Sequence, residues 1–306
     1  MLAEPQQGNF VFEDVQTPKG ELILVKGIQT NAATSTNDML ENIIENMKYK
    51  FPIFEGLTEY NKPKGWDRKI ALVGGGPSLK NTIHELKEYR TIMSCGSVHD
   101  YLINNNVIPT YAVNCDPSPI SANYFTKADP EVKYLIASHA DRKLIAALGG
   151  KQIILWHCHS EDLQEQIFKI EREENNRDYN AVGGGCTVGL RAISLAMCMG
   201  YGNIHFYGFD SCMGDDGEQH HAYDWANPEE ENPLIDKVYK IHLGPTTGPE
   251  NNKHYYVAGY QLAQLENFKD FYASNKDYFI PTFHGGGALA DYLELIKRIK
   301  PKEQIQ

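Results

Sequence analysis

The stretch KIALVGGGPSL at residues 69–79 decides the fold, because three consecutive glycines join a short apolar strand to a helical pattern. The strand Lys69–Val73 is apolar on both faces, as is typical of a strand buried inside a parallel sheet. The glycines allow a tight turn and a close approach of the backbone to a ligand. Pro77 suits the first helical turn, where its missing N–H has no intrahelical partner. The stretch therefore predicts the strand–loop–helix unit of an α/β protein.

The same rhythm continues along the chain after this unit. Helical patterns alternate with further apolar strands, which are expected at residues 91–95, 111–115, 134–137, 152–156, 203–207 and 278–281. Because such alternation is typical of strands covered by helices, the sequence predicts an α/β, Rossmann-like fold. Its sheet is expected to be mostly parallel, with helices on both faces.

Two segments stand apart from this alternation. Residues 1–65 are interpreted as an N-terminal extension, and residues 66–300 as the main domain. Residues 211–257 are polar and rich in Gly, Pro and acidic side chains, so we expect an insertion without regular structure. The sequence leaves open whether this insertion is a lid or a contact with another subunit, and so whether the chain forms a homo-oligomer.

Charge and composition limit the classes of function. The chain has 306 residues with 29 Lys and Arg against 40 Asp and Glu, a net charge of −11. An acidic surface repels phosphate backbones, which argues against nucleic-acid binding. Backbone N–H groups can still hold the phosphate of a small ligand. The sequence shows no signal peptide and no apolar run of the ~20 residues that span a membrane, so a cytoplasmic protein with reduced cysteines is expected.

The first glycine loop is the leading candidate for an anion site. Gly74, Gly75, Gly76, Pro77 and Ser78 would present free N–H groups at the positive end of a helix that runs from residue 78 to residue 89. The loop matches neither G-x-G-x-x-G nor G-x-x-x-x-G-K-[ST], which weakens the dinucleotide and P-loop interpretations. The alternative is a tight turn without a ligand.

A second glycine loop repeats the pattern in the stretch GGGCTVG at residues 183–189. Thr187 is a plausible N-cap, Gly189 permits close packing, and Arg191 lies one turn later, near enough to meet a phosphate. Together with Gly185, these residues are candidate contacts of a bound nucleotide. Two such loops at the carboxyl edge of one sheet would face a shared crevice, where α/β sheets bind ligands. The alternative is that these glycines serve packing only.

Polar side chains follow two of the predicted strands. Asn114 and Asp116 are expected to contact a ribose or a base, or to bridge a metal ion through Asp116, unless they only cap the next helix. Asp210 holds the equivalent place after the strand at 203–207 and is either functional or a turn former.

Histidines and tyrosines add candidates. His220 or His221 could act as a general base, with Asp215, Asp216 and Glu218 near enough in sequence for a metal; the alternative is solvated loop histidines. His284 precedes three glycines and could face the crevice or serve packing only. The remaining candidates could stack on a base or sugar or pack in the core: Tyr255, Tyr256 and Tyr260.

At these residues the chain resembles the MptE-like domain family over roughly residues 35–295. The resemblance rests on four motifs in order, VGGGPSL at 73–79, VNCDP at 113–117, GGCTVG at 184–189 and GYGNIHFYGFD at 200–210. The family includes archaeal 6-hydroxymethyl-dihydropterin diphosphokinases. It is similar to flagellin glycosyltransferases and to bacterial sialyltransferases that use CMP-sugars. Where the pterin kinases carry an Asp-x-Asp-Gly type motif, this chain has Asn114-Cys115-Asp116-Pro117.

The resemblance implies a nucleotide-dependent transferase. The resemblance to the sialyltransferases implies that Gly74–Ser78 contact the nucleotide. It also implies that Thr187, Gly189 and Asp210 complete the nucleotide pocket and that His220 or His221 acts as the base. The first hypothesis is a glycosyltransferase with a nucleotide-activated, perhaps CMP-linked, sugar. The second is a Mg²⁺- and ATP-dependent diphosphokinase of the 6-hydroxymethylpterin type, with Asp116 and Asp210 as metal ligands. The third is a nucleotide-binding module without catalysis.

Overall fold

A parallel sheet of eight strands lies at the centre of the computed structural model. The structure describes residues 11–17, 20–26, 34–55, 68–215, 217, 220–223, 238–243 and 253–298. Its strands are β1 Val11–Thr17, β2 Gly20–Lys26, β3 Lys69–Val73, β4 Ile92–Cys95, β5 Tyr111–Asn114, β6 Lys133–Ala137, β7 Gln152–Cys158, β8 Ala181–Val182, β9 Asn203–Tyr207, β10 Val238–His242, β11 His254–Ala258 and β12 Ile280–His284.

The helices alternate with the strands, as the sequence predicts. They are α1 Thr36–Met47, α2 Leu79–Thr82, α3 His99–Asn104, α4 Arg142–Ala147, α5 Glu161–Phe168, α6 Val188–Cys198, α7 Gly259–Asn275 and α8 Ala288–Arg298. Shorter 3₁₀ segments occupy Ile83–Glu88, Gly96–Val98 and Pro119–Phe125, and a π-helical segment, Lys169–Glu174, follows α5. No helix in the described part of the chain is long and apolar enough to cross a bilayer.

The strand order places a ligand crevice. The sheet runs β12-β9-β3-β4-β5-β6-β7-β8, and every pairing in it is parallel. The chain builds the sheet from β3 outward to β8 and then returns through α6 to β9, on the other side of β3. The loops after β3 and β9 therefore diverge at a topological switch point, where open α/β sheets bind ligands.

Helices cover both faces of the sheet, which confirms the predicted architecture. Alternate residues of a strand point to opposite faces. Ile70 and Leu72 accordingly pack in one cluster with Leu190 and Ile193 of α6. Ala71 and Val73 pack on the other face, in a cluster with Leu79, Leu86 and Leu102.

Helix α1, in the predicted N-terminal extension, packs against the main domain. Ser35 caps it, accepting a hydrogen bond from the Asp38 N–H. Ile43 is fully buried in a cluster with Leu163 and Ile167 of α5. The domain boundary at residue 65 stays a prediction, since residues 56–67 lie outside the described residues.

Three local expectations were wrong. The helix expected over residues 78–89 is instead α2, of four residues, followed by a 3₁₀ segment. The insertion at 211–257 is not without regular structure, because β10 and β11 pair antiparallel within it. The strand expected at 278–281 is β12, so His284 belongs to the strand rather than to the following turn.

Candidate functional site

A cavity of 510 Å³ opens at the carboxyl edge of the sheet, at the switch point. Its wall combines the turns after β3, β4, β5 and β9 with the first residues of α6 and α7 and with His220 and His221. The fold thus brings together most of the predicted site residues. Pro77, Ser78, Gly185 and Arg191 are not among the described residues that line it.

The first glycine turn is closed by protein groups. The N–H of Gly74 donates to the carbonyl of Tyr207, and the N–H of Gly76 to that of Gly208, each at 2.8 Å. The N–H and the hydroxyl of Ser78 both donate to the Asp210 carboxylate, at 2.7 and 2.5 Å. The expectation of free N–H groups at Ser78 is therefore wrong, because a carboxylate occupies the place expected for a phosphate.

Asp210 joins three turns of the chain. Its carboxylate binds Ser78, and its carbonyl accepts from the N–H of Leu289 at 3.1 Å. Gly287, with φ +105°, lies so close that a Cβ there would be 2.6 Å from the Asp210 Cα. Burial raises the pKa of Asp210 to about 6, against the Ser78 hydrogen bonds, which lower it. Asp210 lines the cavity, but these contacts give it a structural role first.

The second glycine loop supplies a helix start. Thr187 caps α6, because its hydroxyl oxygen accepts from the Leu190 N–H at 3.3 Å. Thr187, Val188 and Gly189 line the cavity, and the 11 residues of α6 give its N-terminus a partial positive charge. Gly189 also has a packing role, since a Cβ there would be 2.9 Å from the Phe209 ring.

Arg191 lies apart from this helix start. Its guanidinium donates to the carbonyl of Val182 at 2.8 Å and to that of His159 at 3.4 Å. The arginine thus holds the ends of β7 and β8, and the contact with a phosphate that the sequence suggested is not prepared in this structure.

At the start of α7, sequence analysis named Tyr260 as a candidate but missed Gln261 and Gln264. Tyr260, Gln261 and Gln264 line the cavity, and α7 has 17 residues. The Ala258 N–H donates to the Gln261 Oε1 at 2.8 Å. Ala258 is not one of the usual N-cap residues, so the residue before α7 does not predict a helix start. A Gln at the third helical position, which can close a helix start in this way, was the available signal.

Asn114 presents an unused amide to the cavity. The side chain is 1% exposed, and neither Nδ2 nor Oδ1 has a hydrogen-bond partner among the described residues. A buried polar group without a partner costs about 1–3 kcal/mol. In a cavity wall, such a group is available to bind a ligand or water. Both a donor and an acceptor are therefore offered at one point of the site.

Asp116, two residues further along the same wall, is partly committed. Its Oδ1 accepts from the Ser118 N–H at 2.9 Å, as a residue that turns the chain does. Burial raises the pKa of Asp116, and the charge of Asp141 adds to that effect. Asp116 thus shapes the turn before the 3₁₀ segment, but Ser118 rather than Asp116 is the N-cap of that segment, and Asp116 still lines the cavity.

The two neighbouring histidines face the cavity rather than solvent. Burial lowers the pKa of His220 to about 4 and that of His221, with a further contribution from His220, to about 3. Both rings are therefore neutral near pH 7. The His221 ring stacks on Tyr223 with centroids 5.0 Å apart. The His220 Nδ1 is buried and has no hydrogen-bond partner among the described residues.

Most of the other aromatic candidates lie away from the cavity. His284 contacts the Glu85 carboxylate and His205, at 3.1 and 2.9 Å, and stacks on Tyr207. Tyr255 donates to Asp291 at 2.5 Å. Of the three tyrosines, Tyr260 is the one on the cavity wall, edge-on to His220 with centroids 5.5 Å apart.

The described residues do not by themselves form a metal centre. No group of three or more His, Cys, Asp or Glu side chains among them is arranged to hold an ion. Both oxygens of Asp210 accept from Ser78. Asp216 and Glu218 lie outside the described residues. A Mg²⁺ ion would therefore depend on Asp116 together with the phosphate oxygens of a bound nucleotide.

Comparisons with known proteins give a family and a fold. A family model described as "6-hydroxymethylpterin diphosphokinase MptE-like" matches residues 37–216. The MAf glycosyltransferase from Magnetospirillum magneticum AMB-1 is similar in structure, with a TM-score of 0.59 and 12% identity over 89% of this chain. The chain spans 40% of that glycosyltransferase. At this identity the match shows a shared fold.

Two sialyltransferase structures match more distantly. A mammalian sialyltransferase in complex with Gal-beta-1-3GalNAc-ortho-nitrophenol has a TM-score of 0.39 and 13% identity, covering 84% of this chain and 88% of that one. The sialyltransferase CST-II in complex with CMP has a TM-score of 0.37 and 17% identity, covering 71% and 81%. No curated protein is a significant match.

Proposed function

We propose that the chain, which belongs to the MptE-like family, is a nucleotide-dependent transferase that moves a sugar from a nucleotide-activated donor. The observation that carries the proposal is the unpaired amide of Asn114 at the switch-point cavity. A carboxamide offers two N–H donors and a carbonyl oxygen that accepts. The edge of a nucleobase, or two ribose hydroxyls, would satisfy both.

The charges around the cavity favour a donor with few phosphates. No Lys or Arg is found among the described residues that line it, whereas Asp116 and Asp210 are. The starts of α6 and α7 each supply roughly half a positive charge. Because uncompensated buried charge is costly, the partial positive charge of these two helix starts suits a single phosphodiester better than a triphosphate. The balance supports a nucleoside-monophosphate donor of the CMP type.

The proposed reaction uses a neutral histidine. The hydroxyl oxygen of the acceptor attacks the anomeric carbon while the bond from that carbon to the phosphate oxygen breaks. The nucleoside monophosphate leaves with the electron pair, and the helix start at Thr187–Gly189 stabilises its charge. The proton of the hydroxyl passes to His220, whose Nδ1 is unpaired. His221 is the weaker candidate, because its ring stacks on Tyr223.

A diphosphokinase is the second candidate, because the description of the matching family model names that activity. It would use ATP with Mg²⁺ held by Asp116 and the phosphates. A nucleotide-binding module without turnover is the third. These candidates differ in the nucleotide bound, in metal dependence and in catalysis.

Isothermal titration with CMP, UMP, GDP and ATP, each with Mg²⁺ and with EDTA, separates the first two candidates. We expect CMP to bind at one site per chain in EDTA. Tight binding of ATP that requires Mg²⁺ would favour the diphosphokinase instead. Release of CMP from a CMP-sugar would reject the non-catalytic module, and no binding of any nucleotide would reject the whole proposal.

A further inference from the structure

Ser211 holds an unusual backbone conformation beside the cavity. It follows Asp210 and has φ +50°, the left-handed region that non-glycine residues seldom adopt. The chain is fixed on both sides of it. The Asp210 carbonyl accepts from Leu289, and the N–H of Met213 donates to the carbonyl of Tyr256 at 2.7 Å. Strain that is maintained by neighbours in this way is often found at functional sites.

The hydroxyl of Ser211 lacks a partner. The residue is 6% exposed, lines the cavity, and its Oγ has no hydrogen-bond partner among the described residues. Because a hydroxyl can rotate to suit a partner, an unpaired one in a cavity wall is available to bind a polar group of a ligand. His220, on the same cavity wall, also carries an unpaired nitrogen.

The strand order separates Ser211 from Asn114. Asn114 ends β5 and Ser211 follows β9, with β3 and β4 between these strands. Three strand spacings of ~4.8 Å separate the ends of β5 and β9 by roughly 14 Å. We therefore expect a ligand that satisfies both side chains to have two parts. The glycine turn lies between them, against Asp210, since a Cβ at Gly76 would be 2.7 Å from the Asp210 Cγ.

We propose that Ser211 is a specificity-determining residue that binds a hydroxyl of the transferred sugar, while Asn114 binds the nucleoside of the same donor. This inference rests on the proposed function. The ligand class at Ser211 is a polyhydroxylated group. The surrounding wall suits it, because Tyr260, Gln261 and Gln264 add neutral polar side chains.

The test compares bare nucleotides with their sugar conjugates. CMP and CMP-N-acetylneuraminate, UDP and UDP-glucose, and GDP and GDP-mannose are titrated into wild type and Ser211→Ala. For the pair that wild type binds, we expect Ser211→Ala to weaken the conjugate roughly 3- to 10-fold, as for one lost hydrogen bond. The bare nucleotide should change less than about twofold. Equal weakening of both, or of neither, would overturn the inference while the proposed function stands.

Two variants exclude a merely structural effect. Ser211→Gly removes the same hydroxyl but relieves the positive φ, so it should lose affinity for the conjugate as Ser211→Ala does. A glycine variant that keeps the affinity would show that strain is responsible and would overturn the inference. Ser97→Ala removes another hydroxyl of the cavity wall, one that already pairs with the Tyr223 hydroxyl, and should affect nucleotide and conjugate equally. Failure of wild type to bind any of the six compounds would reject both the inference and the proposed function.

Discussion

Asn114 bears a cost in the ligand-free protein that a bound nucleotide would remove. Asn114→Ala deletes the unpaired buried amide, so its free energy of unfolding should equal or exceed that of wild type. Nucleotide binding should weaken roughly 10- to 100-fold, since two hydrogen bonds are lost. Thermal unfolding and isothermal titration measure the two effects, and a variant that binds as wild type does would remove Asn114 from the site.

Asn46 provides the matched control. Its Oδ1 also lacks a partner among the described residues, but its Nδ2 donates to the carbonyls of Ser138 and Ala140, at 2.9 and 2.8 Å, away from the cavity. Asn46→Ala should therefore destabilise the protein by about 1–3 kcal/mol while leaving nucleotide affinity unchanged. The two asparagines should show opposite patterns in the same pair of measurements.

His220 is the residue on which the proposed chemistry depends. His220→Ala should lower kcat by about 10²- to 10⁴-fold and leave nucleotide affinity nearly unchanged. Because burial lowers the pKa of His220 to about 4, the acid limb of kcat/KM should lie well below the 6.5 of an ordinary histidine. The control is His84→Ala, since His84 is exposed, and it should leave kcat unchanged. An unchanged kcat for His220→Ala would exclude His220 as the base.

Asp210 makes stability depend on pH. Burial raises its pKa from 3.8 to about 6, so between these values the folded state keeps a proton that the unfolded state releases. The free energy of unfolding therefore falls as pH rises through this window, by up to about 3 kcal/mol. Asp210→Asn cannot titrate, so its stability relative to wild type should rise from pH 4 to pH 6. Denaturant unfolding at several pH values would show a constant difference if this account is wrong.

At the scale of elements, the first glycine turn is held by close contact with the turn after β9. A methyl group at Gly76 would lie 2.7 Å from both the Asp210 Cγ and the Gly208 carbonyl oxygen. Gly76→Ala should thus cost about 1–3 kcal/mol of stability and disturb the cavity. A methyl group at Gly183 would have no atom within 4 Å, so Gly183→Ala should change the free energy of unfolding by less than about 0.5 kcal/mol. Equal effects in chemical denaturation would contradict the close contact.

The elements that sequence predicted well are those set by local pattern. The apolar run Lys69–Val73 and the run Asn203–Tyr207 form strands with the expected bounds. The cap at Thr187 is also local, since its hydroxyl contacts a residue three positions later. The hydrogen bonds from Ser78 to Asp210, which close the first glycine turn, could not be predicted from a local pattern. They depend on Asp210, 132 residues from Ser78, and only the pairing of β3 with β9 brings the two together.

At the scale of the whole molecule, the sequence predicted a parallel sheet but not its strand order. The return from β8 to β9 places the turns after β3 and β9 side by side and brings α7 to the cavity. The sequence predicted that the helix starts after the two glycine loops would face the cavity. In the structure, the starts of α6 and α7 do so instead. Long-range packing decides this exchange. The Gln at the third position of α7 indicates that a helix starts there, but not that this start lies at the cavity.

We propose that one nucleotide binds at the switch point, against Asn114 and the start of α6. Amide ¹H–¹⁵N spectra recorded during a titration with CMP in EDTA test it most directly. We expect the largest shifts at the backbone N–H groups of Val188 and Gly189 and at the side-chain amide of Asn114. Shifts confined to other regions, or no shifts with CMP or any other nucleotide, would contradict the account.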